Sequence, residues 1–126
     1  MKTMLVALTL SVAPGLAFAA PRIDTVFGNT IVSTYPDGRM AYLWLRPDGS
    51  YELLNRKRST SGGAWSIKGE AVCMTQFKPF PAPMTFCTPA PTGDGAAPWR
   101  AKALTGEQVL VRVVKGIVQS VEKASQ

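Results

Sequence analysis

Hydrophobic and polar residues alternate in short runs over residues 29–114, which is the pattern of β-strands with one buried face. The clearest predicted element is a meander of three strands over 29–35, 39–45 and 50–55, joined by two Pro-Asp-Gly turns. In each turn the proline fixes φ, the aspartate bonds to the backbone ahead of it, and the glycine tolerates positive φ. These segments therefore predict two successive β-hairpins.

Further runs of the same kind extend the meander over 63–68, 71–76, 84–88, 99–104 and 108–114. In the run over 108–114, Val109, Val111 and Val113 are expected to face inward, and Arg112 outward. Lys115-Gly116 predicts a turn into a last short strand at Ile117-Val118. About eight strands in sequential hairpins favour an all-β, antiparallel up-and-down barrel or a strongly curved sheet, because closure hides strand edges.

The first 19 residues differ from this pattern and predict a cleaved signal peptide. Lys2 gives a positive charge, residues 4–13 are apolar, and Ala17-Phe18-Ala19 has the form of a cleavage site. We therefore expect residues 1–19 to be removed and residues 20–126 to form a single small β domain, periplasmic or secreted. The apolar run is too short to cross a bilayer, so we predict no membrane span.

Cys73 and Cys87 are the two cysteines of the chain, and each falls in the middle of a predicted strand. The strands flank the proline-rich segment 79–83, so we expect them to be adjacent and antiparallel. In an exported chain, two cysteines without C-x-x-C spacing predict one structural disulfide rather than a redox or metal site.

The chain carries a net charge of +6, which favours an anionic envelope component or an exported protein as partner over nucleic acid. The densest basic run is Arg56-Lys57-Arg58, at the tip of a predicted hairpin. Two interpretations stay open for this run. It is either a solvated turn or a contact for phosphate or acidic polysaccharide.

The sequence contains no histidine, which excludes Ser-His-Asp and Cys-His catalysis and histidine-ligated zinc. A disulfide removes thiolate chemistry as well. Asp24 and Glu52 are the two acids without a turn or surface explanation, and they are weak support for carboxylate-based hydrolysis. We therefore predict a protein that is not an enzyme and uses no metal or cofactor.

Aromatic residues at alternating positions suggest an interior role. Tyr42, Trp44, Tyr51 and Trp65 are candidates either to fill the barrel or to line a ligand cavity. The first hypothesis for function is a non-enzymatic binding or envelope-associated protein. The alternative is an inhibitor of an exported enzyme, which predicts a filled barrel and a protruding loop or N-terminal arm at residues 20–26.

Several segments carry a resemblance to known proteins: Tyr35-Pro36-Asp37-Gly38, Gly63-Ala64-Trp65-Ser66, residues 69–76 and Phe86-Cys87. Together they resemble small exported proteins of Gram-negative bacteria without an assigned activity. The resemblance implies an all-β, single-disulfide periplasmic protein and carries over no catalytic residue. Gly63-Ala64-Trp65 is also loosely similar to the G-x-W motif of lipocalins, here on a strand in the middle of the chain.

Overall fold

The computed structural model describes residues 22–91 and 97–121, and the predicted signal peptide and its cleavage site lie outside the described residues. The described chain forms a short 3-10 helix and eight antiparallel strands, which confirms the all-β prediction. The elements are the 3-10 helix Ile23–Val26 and the strands β1 (Thr30–Thr34), β2 (Met40–Leu45), β3 (Ser50–Leu54), β4 (Thr60–Lys68), β5 (Ala71–Lys78), β6 (Thr85–Pro89), β7 (Trp99–Lys102) and β8 (Gln108–Val114).

The strands form one sheet that curls into a nearly closed barrel. The strand order is β6-β5-β4-β3-β2-β1-β8-β7, so neighbours along the chain pair with each other and β8 closes back onto β1. β6 and β7 are the two edges; they approach each other, but no strand pairing joins them within residues 22–91 and 97–121. We call the gap between β6 and β7 the seam.

Successive strands run in opposite directions, so their connections alternate between the two ends of the barrel. The connections after β1, β3, β5 and β7 lie at one end, which we call the mouth end: residues 35–39, 55–59, 79–84 and 103–107. The 3-10 helix lies at the opposite end, the plugged end, where Val26 is fully buried in the interior cluster. Beside it, the rings of Phe27 and Trp65 are 5.9 Å apart.

Four of the hairpins share one turn geometry. In each, the residue before the turn donates its N–H to the carbonyl four residues later, as Tyr35 does to Arg39 at 2.9 Å. The last turn residue has positive φ and is glycine in three hairpins, at Gly38, Gly49 and Gly106. In the β3–β4 hairpin this position is Arg58, with a φ of 67°, a conformation that is costly for a residue with a side chain.

Apolar side chains pack on both surfaces of the sheet. The interior cluster includes Ile31, Leu45, Val72, Val109 and Val111, with Val113 packed against it, so the three valines of β8 face inward as expected. A second, outer cluster is formed by outward residues of β1, β2 and β3: Val32, Tyr42, Trp44 and Leu54. Residues 115–121, which we call the C-terminal strap, cover it, and Val121 packs against it.

The prediction of a last strand at Ile117-Val118 is wrong. Gly116 adopts a φ of 81° and turns the chain across the outer surface of the sheet. The strap then bonds to side chains rather than to a neighbouring strand: Val118 N–H donates to Thr30 Oγ1 at 3.0 Å, and Val121 N–H to the Tyr42 hydroxyl at 3.3 Å. Because the backbone N–H groups of the strap bond to side chains, the strap does not pair with a neighbouring strand.

Strand β4 begins at Thr60, three residues before the predicted start, and contains a register shift between Gly62 and Gly63. A Cβ at Gly63 would collide with the carbonyl oxygen of Thr75 on β5, so this close approach of two backbones requires glycine.

No helix in the described part of the chain is long and apolar enough to cross a membrane.

Candidate functional site

The inside of the barrel is incompletely filled because several inward positions carry small side chains. Ser33 on β1, Ala41 on β2 and Ala101 on β7 leave space between the larger aliphatic residues. A cavity of about 320 Å³ results, and its walls include Leu43, Leu45, Leu53, Val109 and Val111. This volume lies at the lower end of the range for pockets that hold small organic ligands.

The cavity is open to solvent at the mouth end. Met84 and Leu104 both line it, and they are 69% and 72% exposed, so the cavity reaches the surface between the loops 79–84 and 103–107. Both edges of the seam also line it, through Phe86 of β6 and Trp99 of β7. None of the described residues of the 3-10 helix contributes to its wall. The cavity is thus accessible at the mouth end.

A few polar groups interrupt the apolar wall. Tyr51 is buried, and this burial raises the pKa of its phenol, so the hydroxyl is neutral and can donate a hydrogen bond. Asn55 and Gln76 line the cavity toward the mouth, and Lys102 is the one charged residue of the wall in the described part of the chain. Buried Trp99 Nε1 has no hydrogen-bond partner among residues 22–91 and 97–121.

Of the four aromatic residues predicted for a cavity, the structure places only Tyr51 in its wall. Tyr51 pairs with Leu45 across β2 and β3, so it shares the inward face with the odd-numbered residues of β2. Tyr42 and Trp44 alternate with these and belong to the outer cluster. Trp65 packs at the plugged end, where its Nε1–H donates to the Arg46 carbonyl at 2.8 Å. The prediction of one shared aromatic cavity does not hold.

Tyr42 and Trp44 instead hold the C-terminal strap. Trp44 Nε1–H donates to Thr30 Oγ1 at 2.9 Å, and the same hydroxyl donates to the Gly116 carbonyl at 2.8 Å. With the bond from Val118, the fully buried Thr30 side chain makes three hydrogen bonds. No local pattern indicates this role, because a polar threonine on an outward strand face usually meets water.

The basic run 56–58 is largely engaged within the protein. The Arg56 guanidinium lies over the Tyr35 ring at 4.1 Å and donates to both carboxylate oxygens of Glu107, at 2.6 and 3.3 Å. It also approaches Asp37 Oδ2 at 3.4 Å, and its side chain is only 18% exposed. The hydrogen bond from Arg56 lowers the pKa of Glu107.

Arg58 also makes contacts within the protein. Its guanidinium donates to the Gln119 carbonyl of the strap at 2.9 Å and lies 5.9 Å from the Tyr42 ring centre. Lys57 alone extends from the turn without such a contact among the described residues. An anion contact by Arg56, Lys57 and Arg58 together stays a prediction, with Arg56 and Arg58 already bonded within the protein. Two of the three residues hold the loops and the strap in place.

Asp24 and Glu52 are each paired with an arginine. Asp24 accepts from Arg22 at 3.3 Å, which lowers the pKa of its carboxyl, and Glu52 lies 3.1 Å from Arg46. A general acid needs a raised pKa, so Asp24 does not have the environment of one. Within the described residues, no group of three or more His, Cys, Asp or Glu side chains is arranged to hold a metal. The absence of enzyme activity remains a prediction.

The predicted disulfide is present. Cys73 and Cys87 are directly opposite each other on β5 and β6, and their sulfurs are bonded. The bond ties the edge strand β6 to the body of the sheet, beside the seam.

No model of a known protein family matches this chain, and no curated protein or solved structure matches it either. The functional argument therefore depends on the geometry of the barrel. The resemblance to small exported proteins and the loose likeness to lipocalins stay predictions.

The wall of the cavity combines a large apolar surface with a few polar groups. Its wall is mostly aliphatic, its polar groups are neutral apart from Lys102, and no carboxylate of the described residues lines it. Such a wall gains free energy when apolar surface of a ligand is buried against it. The few hydrogen-bonding groups can orient one polar end of the ligand.

Proposed function

We propose that the protein is an extracytoplasmic binding protein that holds a small, mostly apolar molecule inside the barrel. The observation that carries this proposal is the aliphatic cavity of about 320 Å³ inside the barrel, open at the mouth end. An address outside the cytoplasm is supported by the predicted signal peptide and by the disulfide between Cys73 and Cys87.

A neutral fluorescent apolar probe, N-phenyl-1-naphthylamine, tests the proposal directly. We expect its emission to rise on titration with the protein and to saturate, because the probe enters an apolar site. Ala101→Leu should weaken this binding by about tenfold or more, since the added side chain enters the cavity and removes space for the ligand.

Ala64→Leu is the matched control, because Ala64 lies on β4 in the wall of a separate surface groove and not of the cavity. The control should bind the probe like the parent protein. Both variants should keep the thermal stability of the parent. No saturable binding by the parent, or equal loss in the two variants, would rule out an interior site.

The alternative of an inhibitor requires a filled barrel and a protruding arm at residues 20–26. Within the described part of that arm, Arg22 N–H bonds to the Pro91 carbonyl at 2.8 Å and Val26 is fully buried. This packing and the open cavity support the binding proposal over the inhibitor.

A further inference from the structure

The loops at the mouth end expose large apolar side chains beside the opening of the cavity. Phe80 is 63% exposed, Met84 69% and Leu104 72%. Met84 and Leu104 also line the cavity, so these residues border the entrance itself. Apolar side chains grouped at one entrance indicate a surface that meets an apolar partner.

The charges of the mouth end have one predominant sign. Both acids on its loops already have arginine partners: Asp37 is 2.9 Å from Arg39, and Glu107 is bonded to Arg56. By contrast, Lys57, Lys78 and Lys102 have no carboxylate partner in the described part of the chain. The basic residues around the mouth are Arg39, Arg56, Lys57, Arg58, Lys78 and Lys102.

We propose that the mouth end docks on an anionic lipid bilayer, with Phe80, Met84 and Leu104 entering the interface and the lysines contacting lipid headgroups. Proteins that lie on membranes combine exposed apolar side chains with flanking lysines in this way. The docking follows from the surface alone, whereas exchange of a ligand with the bilayer rests on the proposed function. An opening that faces the lipid would let an apolar ligand pass without crossing water.

A second copy of the chain fits this surface less well. A symmetric mouth-to-mouth dimer would bring the lysines of both copies to one interface, where like charges repel. The +6 net charge of the whole chain acts in the same direction. An anionic surface removes this repulsion and uses the same charges favourably.

The test is co-sedimentation of the protein with vesicles of phosphatidylglycerol and phosphatidylcholine, compared with vesicles of phosphatidylcholine alone. The variant Phe80→Ser/Met84→Ser/Leu104→Ser should lower the affinity for anionic vesicles by about tenfold or more. The control Ile67→Ser/Ile117→Ser removes two exposed apolar side chains that lie away from the mouth loops. It should bind within about twofold of the parent protein.

Charge is tested separately with Lys57→Gln/Lys78→Gln, which leaves the cavity wall untouched. We expect about a tenfold loss of affinity for anionic vesicles, since each lysine near a charged bilayer contributes to binding. The control Lys68→Gln/Lys115→Gln changes two exposed lysines near the plugged end and should have little effect. Because all variants keep the same N-terminus, any contribution of the apolar leader cancels in these comparisons.

Three results would overturn the docking proposal: no binding of the parent to anionic vesicles, equal binding to neutral vesicles, or equal losses in the mouth variants and their controls. A parent that self-associates in sedimentation velocity through the same apolar residues, without binding vesicles, would assign the surface to a dimer. Binding of N-phenyl-1-naphthylamine without vesicle binding would leave the proposed function standing and remove only the docking.

Discussion

The two apolar clusters of the barrel differ in how completely their surfaces are covered. In the interior, small residues such as Ala41 and Ala101 leave a cavity that is open at the mouth end. On the outside, Val32, Tyr42 and Trp44 are at most 8% exposed, because the C-terminal strap lies over them. Tyr42 and Trp44 thus help to attach the strap on the outside, whereas the interior keeps an unfilled space.

This difference predicts that the outer cluster contributes mainly to the stability of the fold and the interior mainly to ligand affinity. The outer cluster is buried beneath the strap and is fixed by the three hydrogen bonds of Thr30. The interior cluster leaves unused contact area, which a bound ligand can occupy. A variant in the outer cluster should therefore change the free energy of unfolding most, whereas a variant in the cavity wall should change ligand affinity most.

The largest expected effect compares two neighbouring leucines of β3. Leu54 is 6% exposed in the outer cluster, whereas Leu53 lines the cavity. Leu54→Ala should lower the free energy of unfolding by about 3 kcal/mol, because it opens a new void in a packed cluster. Leu53→Ala should cost about half as much, since that side chain has fewer neighbours to lose. Equilibrium unfolding in urea measures both, and a larger loss for Leu53→Ala would contradict the comparison.

A smaller effect is expected at Thr30, the residue that fixes the strap. Thr30→Val keeps the shape of the side chain but leaves Trp44 Nε1–H, the Gly116 carbonyl and Val118 N–H without this partner. We expect a loss of about 1–3 kcal/mol in the free energy of unfolding.

Thr34→Val is the control for this change, because Thr34 lies on the same outward face of β1 and its hydroxyl makes no hydrogen bond to another described residue. It should change stability by less than about 0.5 kcal/mol. Proteolysis of the C-terminus should also be faster in Thr30→Val alone. Equal effects at the two positions would mean that the strap is not held through this hydroxyl.

The smallest effect concerns pH, since the mouth loops are joined by an ion pair between Arg56 and the carboxylate of Glu107. The folded state holds the pKa of Glu107 below its ordinary value of 4.5, mainly through the hydrogen bond from Arg56. The stabilisation is therefore fully present above pH 4.5 and is lost as the pH falls through the lowered pKa. Glu107→Gln should show a smaller fall in melting temperature between pH 7 and pH 3 than the parent protein.

Asp24, Asp37 and Asp48 also have lowered pKa values, so acid destabilises both proteins and only their difference reports on Glu107. Thr30→Val should keep the pH dependence of the parent, because it changes no titratable group. An identical acid response of Glu107→Gln and the parent would show that the Arg56 pair contributes nothing measurable.

Much of the fold was predictable from local signals. The Pro-Asp-Gly turns fix two hairpins through φ preferences alone, and alternation placed Val109, Val111 and Val113 on the inward face. The disulfide followed from two cysteines in strands that flank one proline-rich loop. The strap was not predictable in this way, because its partners Thr30 and Tyr42 lie some eighty residues away and no periodic pattern records them.

The site was harder to predict for a related reason. Alternation assigns residues to two faces but does not say which face becomes the interior, so Tyr42 and Trp44 were placed with Tyr51. The register of β2 with β3 decides which residues share a face, because it pairs Tyr51 with Leu45 and not with Trp44. This register is set by hydrogen bonds between the strands and cannot be read from composition. A better signal was the alternation of small and large residues at Ala41, Leu43 and Leu45, because small residues in a wall are what leave a cavity.

The pairing of β1 with β8 has a consequence for how the chain acquires its structure. Thr30 lies opposite Val114, so one contact joins the first strand to the last across almost the whole domain. Contacts of such long sequence separation slow folding, and a chain made N-terminus first completes β1 only when β8 has emerged. Until then β1 is an unpaired edge, and without the strap the first hairpins expose Val32, Tyr42 and Trp44 on their outer face. We therefore expect the partly made protein to be most prone to aggregation before β8 and the strap become available.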